Sequence, residues 1–238
     1  MGYNLKDSLL RQLQHQSKNP KLLLGHFVSL SETLHNFARK ALQQQLPTAS
    51  NLCKWKRITD PNCTLCKQGV PPTNKHVLSH CSAPIALERY TTRHNHILKL
   101  LADWIMREMS DQQKLYADIS GDYNPIDEIF EPAVRPDIAL VDGSKIVILE
   151  LTVCHESNLE KSKLFKIEKY TKIREHLKIK YKTFSTKLFT IEISVLGFIS
   201  DLTEFIKFAK LSKMRKDTNR FHNFPGYKRL VQYIQIHE

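Results

Sequence analysis

Cys63 and Cys66 stand two residues apart and are followed by His76, His80 and Cys81. Two thiolates at that spacing can grip one metal ion from a tight turn, and a second pair further along closes a tetrahedron. Pro61, Gly69, Pro71 and Pro72 supply the turn chemistry around the pairs. The spacing predicts a structural zinc site of Cys63, Cys66, His76 and Cys81. His80 competes for the third place, although ligation together with its neighbour Cys81 is awkward. Cys53 and Cys154 read as buried apolar side chains rather than ligands. An odd count of five cysteines, with no charged-then-apolar leader, argues against a disulfide framework.

A second group of reactive residues lies on a β-rich stretch. Residues 134–141 and 145–153 read as two strands joined at Asp142-Gly143, a strong hairpin signal. Arg135-Pro136-Asp137 falls on the first strand and Glu150-Leu151-Thr152 on the second. Alternation puts Glu150 and Thr152 on one face, with Leu149, Leu151 and Val153 on the other. The turn can bring Asp137 alongside Glu150. A carboxylate within Ile-Val-Ile-Leu-Glu-Leu-Thr-Val is costly unless it is paired, protonated or bound to a cation. Two converging carboxylates make a hard, oxygen-lined site suited to Mg²⁺. A salt bridge to Arg135 or Lys145 is the plainer alternative, and it suits Asp137 better than Glu150.

A basic helix over about 157–177 follows, with Lys163, Lys166 and Lys169 three residues apart and so near one face. One ammonium beside the metal could stabilise an attacking oxygen or the charge building on phosphorus. From Lys161 to Lys182 there are nine Lys and Arg against two Glu. That face as a whole reads as a surface for backbone phosphates, joined by the 207–220 segment.

These groups need a scaffold, and the chain of 238 residues has the material for one. At 41% hydrophobic and 25% charged it can bury a core. The net charge of +12 and pI near 9.5 point to a polyanionic partner, nucleic acid ahead of an acidic membrane surface. Only seven glycines occur, without GxGxxG or GxxxxGK[ST], so glycine-rich phosphate cradles and small-molecule cofactors bound by them are excluded. No apolar run approaches the ~20 residues that span a bilayer, and the cell interior is the expected compartment. Helices are expected at about 29–45, behind a Ser29…Glu32 capping box with Leu30, Leu34, Phe37, Ala38 and Leu42 on one face, and at 84–109. The second carries Leu87, Tyr90, Ile97, Leu98, Leu101, Trp104 and Ile105. A third strand at 187–196 and a helix at 201–213 complete an α/β core with a mixed sheet. A loose stretch around Gly121 and Pro125 is the expected seam. The division is a helical segment at 1–60, a knuckle at 61–83, a linking helix at 84–120 and an α/β core at 121–238.

Taken in order, these residues resemble a known family. Leu46-Pro47-Thr48, Asn51-Leu52, Trp55 and the Cys63/Cys66/His76/Cys81 knuckle resemble the region after the reverse transcriptase in site-specific non-long-terminal-repeat retrotransposons. Arg93-His94-Asn95 looks like that family too. Arg135-Pro136-Asp137, Glu150-Leu-Thr-Val153 and Lys166-Ile-Glu-Lys169-Tyr170 resemble its restriction-like endonuclease, a PD-(D/E)xK fold. The resemblance runs from about residue 30 to about 200, and the ordered set carries it rather than any one motif. It implies Asp137 and Glu150 as ligands of a catalytic Mg²⁺. It implies Lys166, with Lys169 second, as the lysine moved from the place Thr152 now holds, and Tyr170 beside it. It further implies nicking of target DNA to leave a 3′-hydroxyl, work in the nucleus, and partners that are DNA and the element's own RNA. No polymerase motif occurs in the chain, which implies a derivative lacking the reverse transcriptase. A zinc-dependent nucleic-acid-binding remnant without catalysis is the alternative reading.

Overall fold

The computed structural model describes residues 32–131, 135–180, 184–195, 199–200 and 202–211. Helix α1 (Glu32–Leu42) ends ahead of Gln44, whose φ of 58° turns the chain before Pro47 is reached. Ser29 and Leu30, expected in its cap and apolar face, lie outside the described residues. Helix α2 (Ala49–Lys54) is capped by Thr48, whose hydroxyl accepts from the Asn51 N–H. The Asn51 amide donates to the Gln44 and Leu46 carbonyls, both at 2.8 Å. That stitches the Leu46-Pro47-Thr48 corner. The long helix α3 (Pro84–Glu108) starts with Pro at its first turn, where a missing N–H costs nothing.

The sheet has five strands in the order β2-β1-β3-β4-β5. They are β1 (Gln113–Ala117), β2 (Asn124–Pro125), β3 (Ile138–Asp142), β4 (Lys145–Cys154) and β5 (Ser185–Ser194). The β1–β3 and β3–β4 pairs are antiparallel, while β1–β2 and β4–β5 are parallel. The sheet is mixed, as expected. Helix α4 (Leu159–Lys180) makes the crossover from β4 to β5, which a parallel pair requires. A short α5 (Thr203–Phe208) follows.

Four expectations about these elements need correction. The first hairpin strand begins at Ile138, so Arg135-Pro136-Asp137 precede it rather than lie on it. Pro136 has no N–H for a ladder and sets the strand's limit. Strand β1 occupies part of what reads as a loose connection. Its Gln-Lys-Leu-Tyr-Ala sequence is weak in β-formers and buries four of five side chains without alternation. Leu87, counted on the apolar face of α3, is 52% exposed. The final helix is shorter than 201–213, because Lys210 turns left-handed at φ 53°.

Alternation along the strands divides the core. Leu115, Ile138, Leu140, Val147, Leu149, Leu151, Ile191 and Ile193 face α3 and α5, meeting Ile97, Leu98, Leu101, Trp104, Ile105, Phe205 and Ile206. Tyr116, Ala139, Ile146 and Ile148 face the other way, onto Tyr170 of α4 and onto Ile126 and Phe130. The β3–β4 loop is Gly143-Ser144, with Gly143 at φ 56°, the first-position glycine that a two-residue hairpin favours.

His155, between β4 and α4, is buried, and its Nδ1 accepts from the Ser157 N–H at 3.3 Å. Burial, then Lys75 and His80 nearby, push it down to about 4. The unfolded chain takes up this proton near the ordinary value of 6.5, while the folded protein resists until about 4. Its contribution is therefore complete above pH 6.5 and lost as pH falls toward 4, amounting to roughly 3 kcal/mol. His155→Asn keeps an acceptor for Ser157. Denaturant melts of that variant are expected to show a flatter decline across this window than the parent. Parallel curves would remove the role.

Candidate functional site

The knuckle is built from two short turns held by α3. The Cys63 carbonyl accepts from the Lys67 N–H at 3.2 Å, and the Cys63 N–H donates to Val70 O at 3.2 Å. Lys67 and Gly69 both have positive φ, which turns the chain after Cys66 so that Val70 O returns to the Cys63 N–H. A single π-helical turn, His76–His80, presents the second pair. Tyr90 of α3 clamps it: its hydroxyl donates to Val77 O at 2.7 Å and accepts from the Cys81 N–H at 3.2 Å. Arg93, one turn on, donates to Leu78 O at 2.8 Å.

The ligand atoms of Cys63, Cys66, His76 and Cys81 all lie within 4.8 Å of one another, the one such group among the described residues. Cys63 and Cys81 sulfurs are 3.9 Å apart, and Cys66 Sγ is 3.7 Å from His76 Nε2. Bonds of 2.0–2.3 Å to a tetrahedral zinc put such atoms roughly 3.5–3.8 Å apart. The donor set fits zinc. Burial would raise the Cys63 thiol, but backbone N–H groups of Cys66 and Leu65, with His76, overcome it and bring it to about 6. Cys81 is pushed up by burial and by the neighbouring Cys63, so a cation between them relieves both. His80 faces away, 2.7 Å from Asn158 Nδ2. Cys53 and Cys154 stand apart from the cluster and are half-buried rather than buried. Their sulfurs approach Thr59 O and Ser162 Oγ, both at 3.7 Å.

The second group gathers where the β3–β4 ladder stops. Asp142 pairs with Lys145 and Ile138 with Leu149, so the next opposed residues are Asp137 and Glu150. Their carboxylates take N–H groups that the ladder leaves over. The Asp137 N–H donates to Glu150 Oε1 at 3.0 Å, and the Leu151 N–H donates to Asp137 Oδ2 at 2.7 Å. Glu150 is fully buried. Lys166 of α4 reaches both acids, with Nζ 2.5 Å from Glu150 Oε2 and 3.6 Å from Asp137 Oδ2. Burial and the Asp137 charge drive Glu150 up to about 7, against the pull of Lys166. Burial would raise Asp137 as well, but His94 and Lys166 outweigh it and hold it below its ordinary value.

The other expected residues are placed nearby in different ways. Lys169 Nζ lies 3.3 Å from the Tyr170 hydroxyl rather than against the carboxylates. Tyr170 is buried, and its hydroxyl donates to Arg135 O at 2.8 Å, tying down the stretch before Asp137. Burial and the adjoining acids push that phenol far up, so it holds its proton. Arg135 pairs with Asp118 at 2.5 Å instead of with either acid, and Lys145 lies over the Phe208 ring.

The N-terminal third of the chain has a known counterpart. Residues 8–87 match the family described as zinc-binding in reverse transcriptase. All four ligands fall inside the match. That similarity and the Cys-Cys-His-Cys cluster together support a zinc-binding site in a mixed α/β structure. No curated protein matches it. Among the described residues, no helix is long and apolar enough to cross a membrane.

One residue at the carboxylates has no counterpart in the chemistry read from the sequence. His94 Nε2 of α3 stands 3.7 Å from Asp137 Oδ2. Its signal was helical spacing: His94 lies three, four, seven and eleven residues before Ile97, Leu98, Leu101 and Ile105, all on the stripe that faces the sheet.

Proposed function

We propose that the chain is a Mg²⁺-dependent DNA endonuclease of the PD-(D/E)xK kind, behind a zinc knuckle, derived from a site-specific non-long-terminal-repeat retrotransposon. The meeting of Asp137, Glu150 and Lys166 at the end of a β-hairpin carries the reading. Lys166 supplies one cation to the buried Glu150, and the two carboxylates beside it also offer oxygens that suit a hard divalent ion. Bound by Asp137 and Glu150, Mg²⁺ would supply Lewis-acid polarisation of a phosphate oxygen.

The side chains divide the remaining work. Lys166 holds a positive charge beside the acids, where it can stabilise an attacking water oxygen or the charge gathering on phosphorus. Tyr170 is a positioning residue, acting through its bond to Arg135 O. In the reaction, the water oxygen bonds to phosphorus as it gives up a proton to solvent, and the bond from phosphorus to the 3′-oxygen breaks. The 3′-oxygen takes up a proton and is left as a hydroxyl. Residues 61–83 would form the knuckle and 121–238 the nuclease core, to which the 84–120 stretch contributes α3 and β1. The basic face of α4 would contact backbone phosphates, and target DNA would make the nucleus the place of action.

Purified zinc-loaded protein is expected to convert supercoiled plasmid to the nicked circle with Mg²⁺ and not with EDTA. Retarded DNA without nicking in Mg²⁺ or Mn²⁺ would replace this reading with a binding-only one.

A further inference from the structure

We propose that His94 is a third protein ligand of the divalent cation at Asp137 and Glu150, and that it tilts the site from Mg²⁺ toward Mn²⁺. This rests on reading the two acids as a metal site. Two ligands about 2.1 Å from one ion lie between roughly 3 and 4.2 Å apart, depending on the angle between them. The 3.7 Å from His94 Nε2 to Asp137 Oδ2 falls inside that range. The other ring nitrogen, Nδ1, lies 3.2 Å from Asn95 Oδ1. As a ligand, His94 would donate its Nδ1–H to that oxygen and turn its Nε2 lone pair to the ion; without an ion, Nε2 carries the proton that it shares with Asp137.

The backbone under His94 is well held. Arg93 is buried and bonded to Leu78 O, and the helix buries Ile97 and Leu98 directly after. His94 itself keeps 26% of its side chain exposed, at the mouth of the site rather than in the core. His94, Asp137 and Glu150 are not drawn together as tightly as the zinc ligands. The Lys166 ammonium stands between the two acids, within 2.5 Å of one and 3.6 Å of the other. A divalent ion that displaces it offers a higher charge to the same oxygens. Mg²⁺ favours all-oxygen shells with several waters, whereas a first-row transition ion accepts an imidazole nitrogen.

The test is Mn²⁺ titration of the zinc-loaded full chain, followed by electron paramagnetic resonance. In the parent, bound Mn²⁺ is expected to show ¹⁴N coupling from a directly ligated imidazole. His94→Asn should lose that coupling and weaken Mn²⁺ binding about tenfold or more, with a smaller change for Mg²⁺ measured by competition. A role limited to orienting Asp137 would leave no ¹⁴N coupling in the parent. Mn²⁺ bound to the parent and lost in Glu150→Gln, but without ¹⁴N coupling, overturns the His94 assignment and leaves the acids as a metal site. No stoichiometric Mn²⁺ in the parent overturns both.

Discussion

Glu150→Gln is expected to abolish plasmid nicking, by on the order of a thousandfold or more, while DNA binding stays near the parent's. Gln keeps the shape and the oxygen that accepts the Asp137 N–H at 3.0 Å. What it removes is the negative charge that the proposed cation needs, at a position fully enclosed by the sheet and α4. No neighbouring oxygen can take its place, because Asp137 is already engaged with the Leu151 N–H. The change should not harm the fold. Glu150 is pushed up to about 7 by burial and by Asp137, so a neutral side chain is tolerated there. Lys166, left without its closest acid, still has Asp137 at 3.6 Å. Equal melting curves and equal zinc content, with nicking gone, are the expected set. Nicking at the parent's rate would show the site misassigned.

Lys166→Ala offers a graded comparison. If Lys169 could substitute, the single change would be mild and the double change severe. Lys169 is occupied with the Tyr170 hydroxyl and ring, at 3.3 Å and 4.7 Å. The single change is therefore expected to be nearly as damaging as the double one.

What could be read from the chain alone follows the distance over which each contact acts. The Cys63/Cys66 pair and the 76–81 segment are local, so spacing is enough to suggest a zinc site. The hairpin is also local: a two-residue loop at Gly143-Ser144 sets every later pair, and stepping outward from Asp142 and Lys145 arrives at Asp137 opposite Glu150. Choosing His76 over His80 needed more, since both sit on the same π-helical turn. The choice depends on the Tyr90 hydroxyl and Arg93, which orient the turn from α3. Lys166 and Lys169 share a helix face, and only the docking of α4 on the sheet separates them. His94 lies 43 residues before Asp137 in sequence. Its spacing marks a sheet-facing position, but nothing local says that an acid waits there. Strand β1 escaped because its burial comes from tertiary packing on both faces rather than from alternation in its residues.

Loss of zinc is the other change with a large expected effect. The knuckle has almost no apolar core apart from its ligands: the buried group there is Cys63, Cys81, Ala83 and Ala86, with Cys66 and Tyr90 against it. Without the ion, Cys63 and Cys81 become neighbouring thiols with opposing tendencies to ionise, and the 63–81 loop is left to the Tyr90 and Arg93 hydrogen bonds and the buried Leu78. Structural zinc contributes about 10–16 kcal/mol in isolated knuckle-sized peptides. Here part of that is retained by contacts to the body, including Asn74 to Ala41 O at 3.1 Å and Lys75 to Asn158 at 3.1 Å. Cys63→Ser is therefore expected to bind no stoichiometric zinc, to lower the melting temperature by about 10 °C, and to open 61–83 to proteolysis. Cys53→Ser should change none of these, because Ser can still donate to Thr59 O. The consequences should also reach the carboxylates. Consecutive residues of α3 serve the two sites, Arg93 holding Leu78 O and His94 facing Asp137. Asn158, bonded to both Lys75 and His80, lies just before the helix that carries Lys166. A knuckle that unfolds releases both ties, so divalent-cation affinity at Asp137 and Glu150 should fall in the zinc-stripped protein. Full zinc content in Cys63→Ser with an unchanged melt would refute the ligand assignment. Unchanged cation affinity after zinc removal would show that the two sites, though they share a helix, are energetically independent.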